Sequence, residues 1–391
     1  MSTNPTNRRK WLKQTAMLAG GLPLAGSFFS NLASAATKTE MPEKHIFISD
    51  RQFAEWAPIN LKARLFANEN PFGPSDKAKK AIIDAIDKSF QYPIAYLDEL
   101  TNKIATYEGV QKENVLISSG SSPLLHAAAI LYSKPGSNII TGETTYEDLP
   151  SKASQLGAKW VKVPLTKTYS LDLDAMEKAV DANTTLIYIC NPNNPTGTVV
   201  DADKLKAFCE RVSKKVTIFV DEAYIDYLDN PQATTLIEAV RKNQNVIVAR
   251  TFSKLYGFAG LRVGYIVAKT ELIKQVGNFT EGPFSISTTS IQAALAAYND
   301  KEFLQSAFVK TMASKNFLYD VLKKEGYDYI PSSANFVMFP IKMEGTKFVG
   351  EMMKRSVGVR NWKMVGKDWC RISIGRMDEM QAFADAFKEI S

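Results

Sequence analysis

The sequence predicts an α/β fold: a three-layer sandwich around a mainly parallel sheet, with a smaller α+β domain beside it. Three observations carry that expectation. First, residues 184–190, 216–220 and 245–249 are near-continuous apolar runs, the pattern of parallel strands buried on both faces. Second, strand-like and helix-like patterns alternate, which places helices on both faces of such a sheet. Third, 391 residues are long for a single core and suggest more than one domain.

The elements follow in chain order. Residues 76–89 form an amphipathic helix, with Ala81, Ile82, Ala85 and Ile86 on one face. The strand 114–119 runs into Gly120-Ser121-Ser122, and a helix over 123–132 follows. Lys134-Pro135-Gly136 marks a turn. The strand 184–190 ends in Asn191-Pro192-Asn193-Asn194-Pro195-Thr196-Gly197, and the strand 216–220 ends in Asp221-Glu222-Ala223-Tyr224. The strand 245–249 leads into Arg250-Thr251-Phe252-Ser253-Lys254-Leu255-Tyr256-Gly257-Phe258-Ala259-Gly260-Leu261-Arg262. Further on, 290–298 and 301–324 read as helices, and 330–340 and 370–375 as strands. The expected divisions are an arm at 36–75 that joins the smaller domain, a large domain at 76–281 and the smaller C-terminal domain at 282–391.

Ligands of open α/β sheets bind beyond the carboxyl ends of the strands. Three successive ends here deliver an asparagine, an aspartate with a tyrosine, and a serine with a lysine to one rim. An isolated Ser-Lys pair is ordinarily a surface feature; its company makes Lys254 a candidate amine nucleophile. Arg262 follows eight residues on, and its planar fork of donors suits a phosphate. Gly120-Ser121-Ser122 at a helix start is a second anion site.

These segments, with 65–75, Tyr92-Pro93, Thr145-Tyr146 and Arg371, resemble the fold type I pyridoxal-phosphate-dependent aminotransferases (class I/II), nearest to the histidinol-phosphate aminotransferase group. The resemblance spans residues 60 to 390 in the family's order. It implies that Lys254 holds pyridoxal 5′-phosphate as a Schiff base and moves a proton between Cα and C4′, which needs a lowered pKa. Asp221 would face the pyridine nitrogen and keep it protonated; the alternative is a helix N-cap. Tyr224 and Asn194 would hydrogen-bond the ring's phenolic oxygen. Tyr146 would stack on the ring, or serve only as core. Ser121, Ser122, Ser253 and Arg262 would hold the phosphate, with Thr251 a weaker contact. The family usually carries an acidic pair where Ser122-Pro123 stands, so the role of Ser122 is open. Tyr92 would reach the phosphate of the neighbouring subunit in a homodimer whose active site lies at the subunit interface. Arg371 would grip the substrate's carboxylate. Arg360 matches an arginine linked to substrate phosphate, or is a solvated surface residue. Asn335 and Asn70 resemble positions near the substrate.

The expected reaction moves an amino group between an L-amino acid and a 2-oxo acid by a two-half route. The specific alternative is histidinol-phosphate aminotransferase. A decarboxylase or lyase of the same fold also fits, because the bond cleaved depends on which one stands perpendicular to the ring.

The first 35 residues read as a twin-arginine signal peptide. Asn7-Arg8-Arg9-Lys10-Trp11-Leu12-Lys13 is followed by a weakly apolar stretch at 17–29 and an Ala33-Ser34-Ala35 cleavage site. The stretch is too short to span a bilayer. Export of the folded, cofactor-loaded chain to the periplasm is expected; an unprocessed chain would stay cytoplasmic. Of the formal net charge of +7, Arg8, Arg9, Lys10 and Lys13 supply four units, so the remainder of the chain carries only +3. Nothing in that balance points to nucleic acid. Two histidines rule out a histidine cluster by count, and the three cysteines lack zinc-ligand spacing, so no metal is expected.

Overall fold

The computed structural model describes residues 60–298 and 300–391. The expected signal peptide and residues 36–59 of the expected arm lie outside the described residues.

A short strand β1 (Ala63–Arg64) precedes a seven-stranded sheet. Its strands are β2 (Val115–Ser118), β3 (Asn138–Gly142), β4 (Lys159–Val163), β5 (Thr184–Cys190), β6 (Thr217–Asp221), β7 (Val246–Thr251) and β8 (Gly264–Ala268), in the spatial order β2-β8-β7-β6-β5-β3-β4. All neighbours from β4 to β7 are parallel, whereas β8 runs antiparallel to both β7 and β2. The mainly parallel expectation therefore holds with one reversed strand. The reason is local: β7 and β8 are joined by residues 252–263, a turn segment with no crossover helix.

Both faces of this sheet are dry. Ile187, Ile189, Ile218, Val220, Val246 and Val248 face one apolar core, and Leu186, Tyr188, Cys190, Phe219, Ile247 and Ala249 face the other. Helices Ile94–Glu108 and Ala202–Val212 close the first face; helices Ser122–Tyr132 and Asp148–Gln155 close the second. Double burial is why these strands read as uninterrupted apolar runs.

A second core gathers Phe339, Phe348, Phe383 and Phe387 with Ala63 and Leu65. It packs on a three-stranded antiparallel sheet of β9 (Phe336–Pro340), β11 (Arg360–Met364) and β12 (Lys367–Ser373). A two-residue strand β10 (Val357–Gly358) pairs parallel with β1. Helix Lys301–Lys324 has the bounds that the sequence predicts. Helix Thr288–Ala297, which sequence places in the smaller domain, packs into the core of the large sheet.

Two local expectations are corrected, and one strand is added. The helix from Asp76 ends at Ala85 and tightens into a 3-10 turn over Ile86–Lys88. Its inward positions are Ala78, Ile82 and Ala85, while Ile86 points outward and is 56% exposed. Residues 330–340 are not one strand: Ile330 makes an isolated bridge to Met338, and Pro331 to Ser333 turn away, with the Ser333 N–H donating to the Gly197 carbonyl. Strand β11 was missed: its alternation, Trp362 and Met364 between Asn361 and Lys363, is only four residues long. The hairpin β11–β12 closes through Val365 and Gly366, both at positive φ.

Candidate active site

The parallel register aligns Cys190, Asp221 and Ala249 in one rung at the carboxyl ends of β5, β6 and β7. The loops that leave this rung carry Asn194, Tyr224, Ser253 and Lys254 to a cavity of about 340 Å³. The sequence-derived residues Ser121, Ser122, Tyr146, Arg262, Arg360 and Arg371 line the same cavity.

Lys254 is partly buried. Its Nζ donates to the Asn68 carbonyl at 3.3 Å and lies 5.2 Å from the Tyr224 ring centroid. Burial, helped by the Arg371 charge, pulls the amine down to about 8; Glu69 and Asp221 oppose that shift. The turn that carries it is tight. The Gly257 N–H donates to the Lys254 carbonyl, and Gly257 has φ +76°. A Cβ on Gly257 would sit 2.4 Å from the Gly73 carbonyl oxygen, so only glycine fits.

Asp221 is 3% exposed. Its Oδ2 accepts from the Tyr188 hydroxyl at 3.0 Å and its Oδ1 from the Ala223 N–H at 3.1 Å. Burial raises the carboxyl to about 6, and these two donors with Lys254 hold it from going higher. It caps no helix: the next turn, Ile225–Tyr227, starts from Tyr224. The buried Tyr224 hydroxyl accepts from the Asn68 amide at 3.0 Å, and burial pushes its phenol well above the ordinary value.

The anion-binding side is equally close-packed. Gly120 has φ +87°, and a Cβ there would meet Arg262 Nη2 at 2.3 Å. That contact brings the arginine beside the start of helix Ser122–Tyr132. Pro123 lies in its first turn, where its missing N–H costs nothing. Arg262 Nη1 donates to Ser253 Oγ at 3.2 Å, and Thr251 Oγ1 to Ser253 Oγ at 3.0 Å.

Arg371, 2% exposed, donates from Nη1 to Asn194 Oδ1 at 2.6 Å and from Nη2 to the Phe66 carbonyl at 2.8 Å. Its guanidinium lies 4.5 Å from the Trp362 ring centroid and 5.4 Å from that of Phe336. All four partners are neutral, and Nε has no hydrogen-bond partner among the described residues. Burial, then the charge of Arg360, lower its pKa, yet it stays cationic near neutrality. A buried cation surrounded by neutral groups fits an anionic ligand.

The family model "Aminotransferase class I and II" matches residues 62–387. The chain belongs to that family. It is a pyridoxal-phosphate-dependent aminotransferase. It is 35% identical over 329 residues to histidinol-phosphate aminotransferase of Moorella thermoacetica, covering 84% of this chain and 85% of that one. Histidinol-phosphate aminotransferase 1 of Bacillus cereus strain ATCC 10987 is 36% identical over 354 residues, covering 90% and 93%. Among solved structures, histidinol-phosphate aminotransferase of Sinorhizobium meliloti in complex with pyridoxal-5′-phosphate superimposes with a TM-score of 0.81 at 26% identity, covering 92% of this chain and 100% of that one.

The aminotransferase cavity carries the donor set its cofactor needs: a buried carboxylate, an amine and a cluster of hydroxyl and guanidinium donors. Two sequence-derived residues frame it instead of lining it. The Asn70 amide is consumed by the backbone, donating to the Leu255 carbonyl at 2.6 Å and accepting from the Phe72 N–H at 3.0 Å. Asn335 donates to the carbonyls of Asn68 (3.1 Å) and Glu69 (3.2 Å). Asn70 thus fastens the 68–72 loop to the lysine turn, and Asn335 fastens it to the start of β9. Tyr92 does not line this cavity; it is 74% exposed against Phe284. Sequence reasoning missed Asn68, Glu69 and Tyr188. Asn68 bonds both Tyr224 and Ser373 from a left-handed backbone (φ 54°), a conformation asparagine tolerates better than most residues. The buried cysteines 190, 209 and 370 are unpaired.

Proposed function

We propose that this cavity catalyses amino transfer between an L-amino acid and a 2-oxo acid, with Lys254 as the proton-transfer base. One observation carries the reading: the Lys254 amine and the Asp221 carboxylate, on different strand ends, line one cavity together with a cluster of anion-binding donors and a buried arginine. Pyridoxal phosphate supplies an electrophilic carbonyl and a protonated ring that accepts the electron pair of a broken C–H bond.

The rest is the work of the protein's own groups. Lys254, with a pKa near 8, is roughly one-tenth neutral at pH 7, so its Nζ can take up the substrate's α-proton and return it. Ionised Asp221 would present a fixed negative charge to the ring nitrogen. Asn194 and Tyr224 would hydrogen-bond the ring's phenolic oxygen, and Tyr146 would pack against the ring. Ser121, Ser122, Ser253 and Arg262, with Thr251 behind, would neutralise the phosphate. Arg371 holds the substrate carboxylate and so fixes which Cα bond meets the base.

A second substrate reading rests on Arg360, which lines the cavity near Arg371. Two neighbouring cations favour a dianionic group such as a phosphate monoester, and histidinol phosphate and its oxo counterpart carry that phosphate in place of a carboxylate. A screen of amino donors (histidinol phosphate, phenylalanine, tyrosine and aspartate) against several oxo acids decides. We expect oxo-acid-dependent turnover with at least one donor; turnover confined to histidinol phosphate establishes the second reading, and carbon dioxide release without oxo-acid consumption sinks both.

The reading includes a homodimer exported by the twin-arginine route. Support for the dimer is an exposed apolar strip: Ile83 67%, Ile86 56%, Phe90 82%, Tyr92 74% and Ile94 64% exposed. In that dimer Tyr92 would serve the neighbour's phosphate. Support for export is the Arg8-Arg9 motif and the Ala33-Ser34-Ala35 site. Protein isolated from the periplasmic fraction should begin at Ala36 and elute at twice the chain mass. A full-length cytoplasmic chain removes the export reading, and a monomer removes the dimer.

A further inference from the structure

Tyr188 is a fully buried phenol on β5, on the face that also holds Leu186, Cys190, Phe219 and Ile247. Packing alone would be served by phenylalanine, as at Phe219, and an unbonded hydroxyl in such a place is costly. At 3.0 Å the hydroxyl donates to Asp221 Oδ2.

The other groups facing Asp221 leave that donor decisive. Cys190 stands beside it on β5, Tyr146 and Asp148 come from the next layer, Tyr224 follows it in sequence, and Lys254 faces it across the cavity. Burial pushes the Cys190 thiol and the Tyr146 and Tyr224 phenols up, so all three are neutral near pH 7. The charged neighbours, Lys254 and Asp148, act with opposite sign. A neutral O–H donor and the Ala223 N–H are therefore what favour the ionised carboxylate in a dry site.

Building on the function proposed above, we infer that Tyr188 is a positioning residue that keeps the Asp221 carboxylate ionised and turned toward the cofactor's ring nitrogen. Its effect is read through another residue, so the test is a pH profile of cofactor retention, not turnover. The full chain loaded with pyridoxal phosphate is dialysed to equilibrium at stepped pH, and bound cofactor is measured by its visible absorbance. A hydrogen bond to a charged group is worth roughly a tenfold factor. Tyr188→Phe should thus move the acid midpoint of retention up by about one pH unit and leave the melting temperature nearly unchanged. In an Asp221→Asn background the same substitution should move nothing. An equal acid midpoint in Tyr188→Phe and the parent chain, or a loss of affinity uniform with pH, overturns the inference. A parent chain that retains no cofactor at any pH strikes the proposed function instead.

Discussion

Lys254→Ala is expected to give a folded protein whose transamination rate is at least about 10⁴-fold lower and whose bound-cofactor absorbance is altered or lost. The size of the effect follows from the cavity's having no other lysine among the described residues that line it. Nearby donors are hydroxyls, amides and guanidinium groups, which cannot act as a base near neutrality. The fold should survive, because the amine makes one 3.3 Å hydrogen bond, to the Asn68 carbonyl, and contributes no apolar side chain to either large core. Losing that bond costs about 1 kcal/mol. Steady-state assay, absorbance and thermal melting together check the result. A variant with more than a few per cent of the parent rate would remove Lys254 from the mechanism.

Arg371→Met should separate function from stability in the opposite sense to an ordinary buried arginine. We expect kcat/KM for amino donors to fall by about 10²–10³, the loss of a charge-assisted pair to a carboxylate. The melting temperature should hold or rise, because the arginine's recorded partners are two neutral oxygens and two aromatic rings. Arg250 is the comparator. It is 5% exposed and pairs with Glu222 at 3.0 Å and Glu108 at 3.5 Å. Removing it strands two buried carboxylates, at a cost of about 3–5 kcal/mol. If Arg371→Met melts as low as Arg250→Met with kcat/KM intact, Arg371 is a structural residue and the carboxylate is bound elsewhere.

The contrast between these arginines shows where the sequence was legible. β5, β6 and β7 were readable because burial on both faces leaves unbroken apolar runs, and the polar clusters that interrupt them mark the rim. Lys254, Asp221, Tyr224 and Asn194 were placed on that account, and the structure brings all four to one cavity. Arg250 was hidden at a strand end, since nothing local tells that Glu108 and Glu222 converge on it. Tyr188 was hidden for the same reason: inside an apolar run a tyrosine reads as bulk, and only the neighbouring strand reveals its partner. Asn70 and Asn335 fall near the cavity as expected, but proximity along the chain gives no direction, and both amides turn to backbone carbonyls. The strand at Arg360–Met364 was missed because so short an alternation marks nothing by itself, and its pairing with β12 defines it.

The lysine turn carries one further consequence. Thr251 and Gly264 are register partners on adjacent strands, and within the turn Phe252 and Phe258 donate to the Val263 and Phe252 carbonyls, both at 3.0 Å. The segment is a noose drawn closed at its neck, so its ends cannot drift apart while the sheet exists. The disorder surrendered in aiming the nucleophile is surrendered once, when the chain folds, and each catalytic cycle begins with that alignment already in hand.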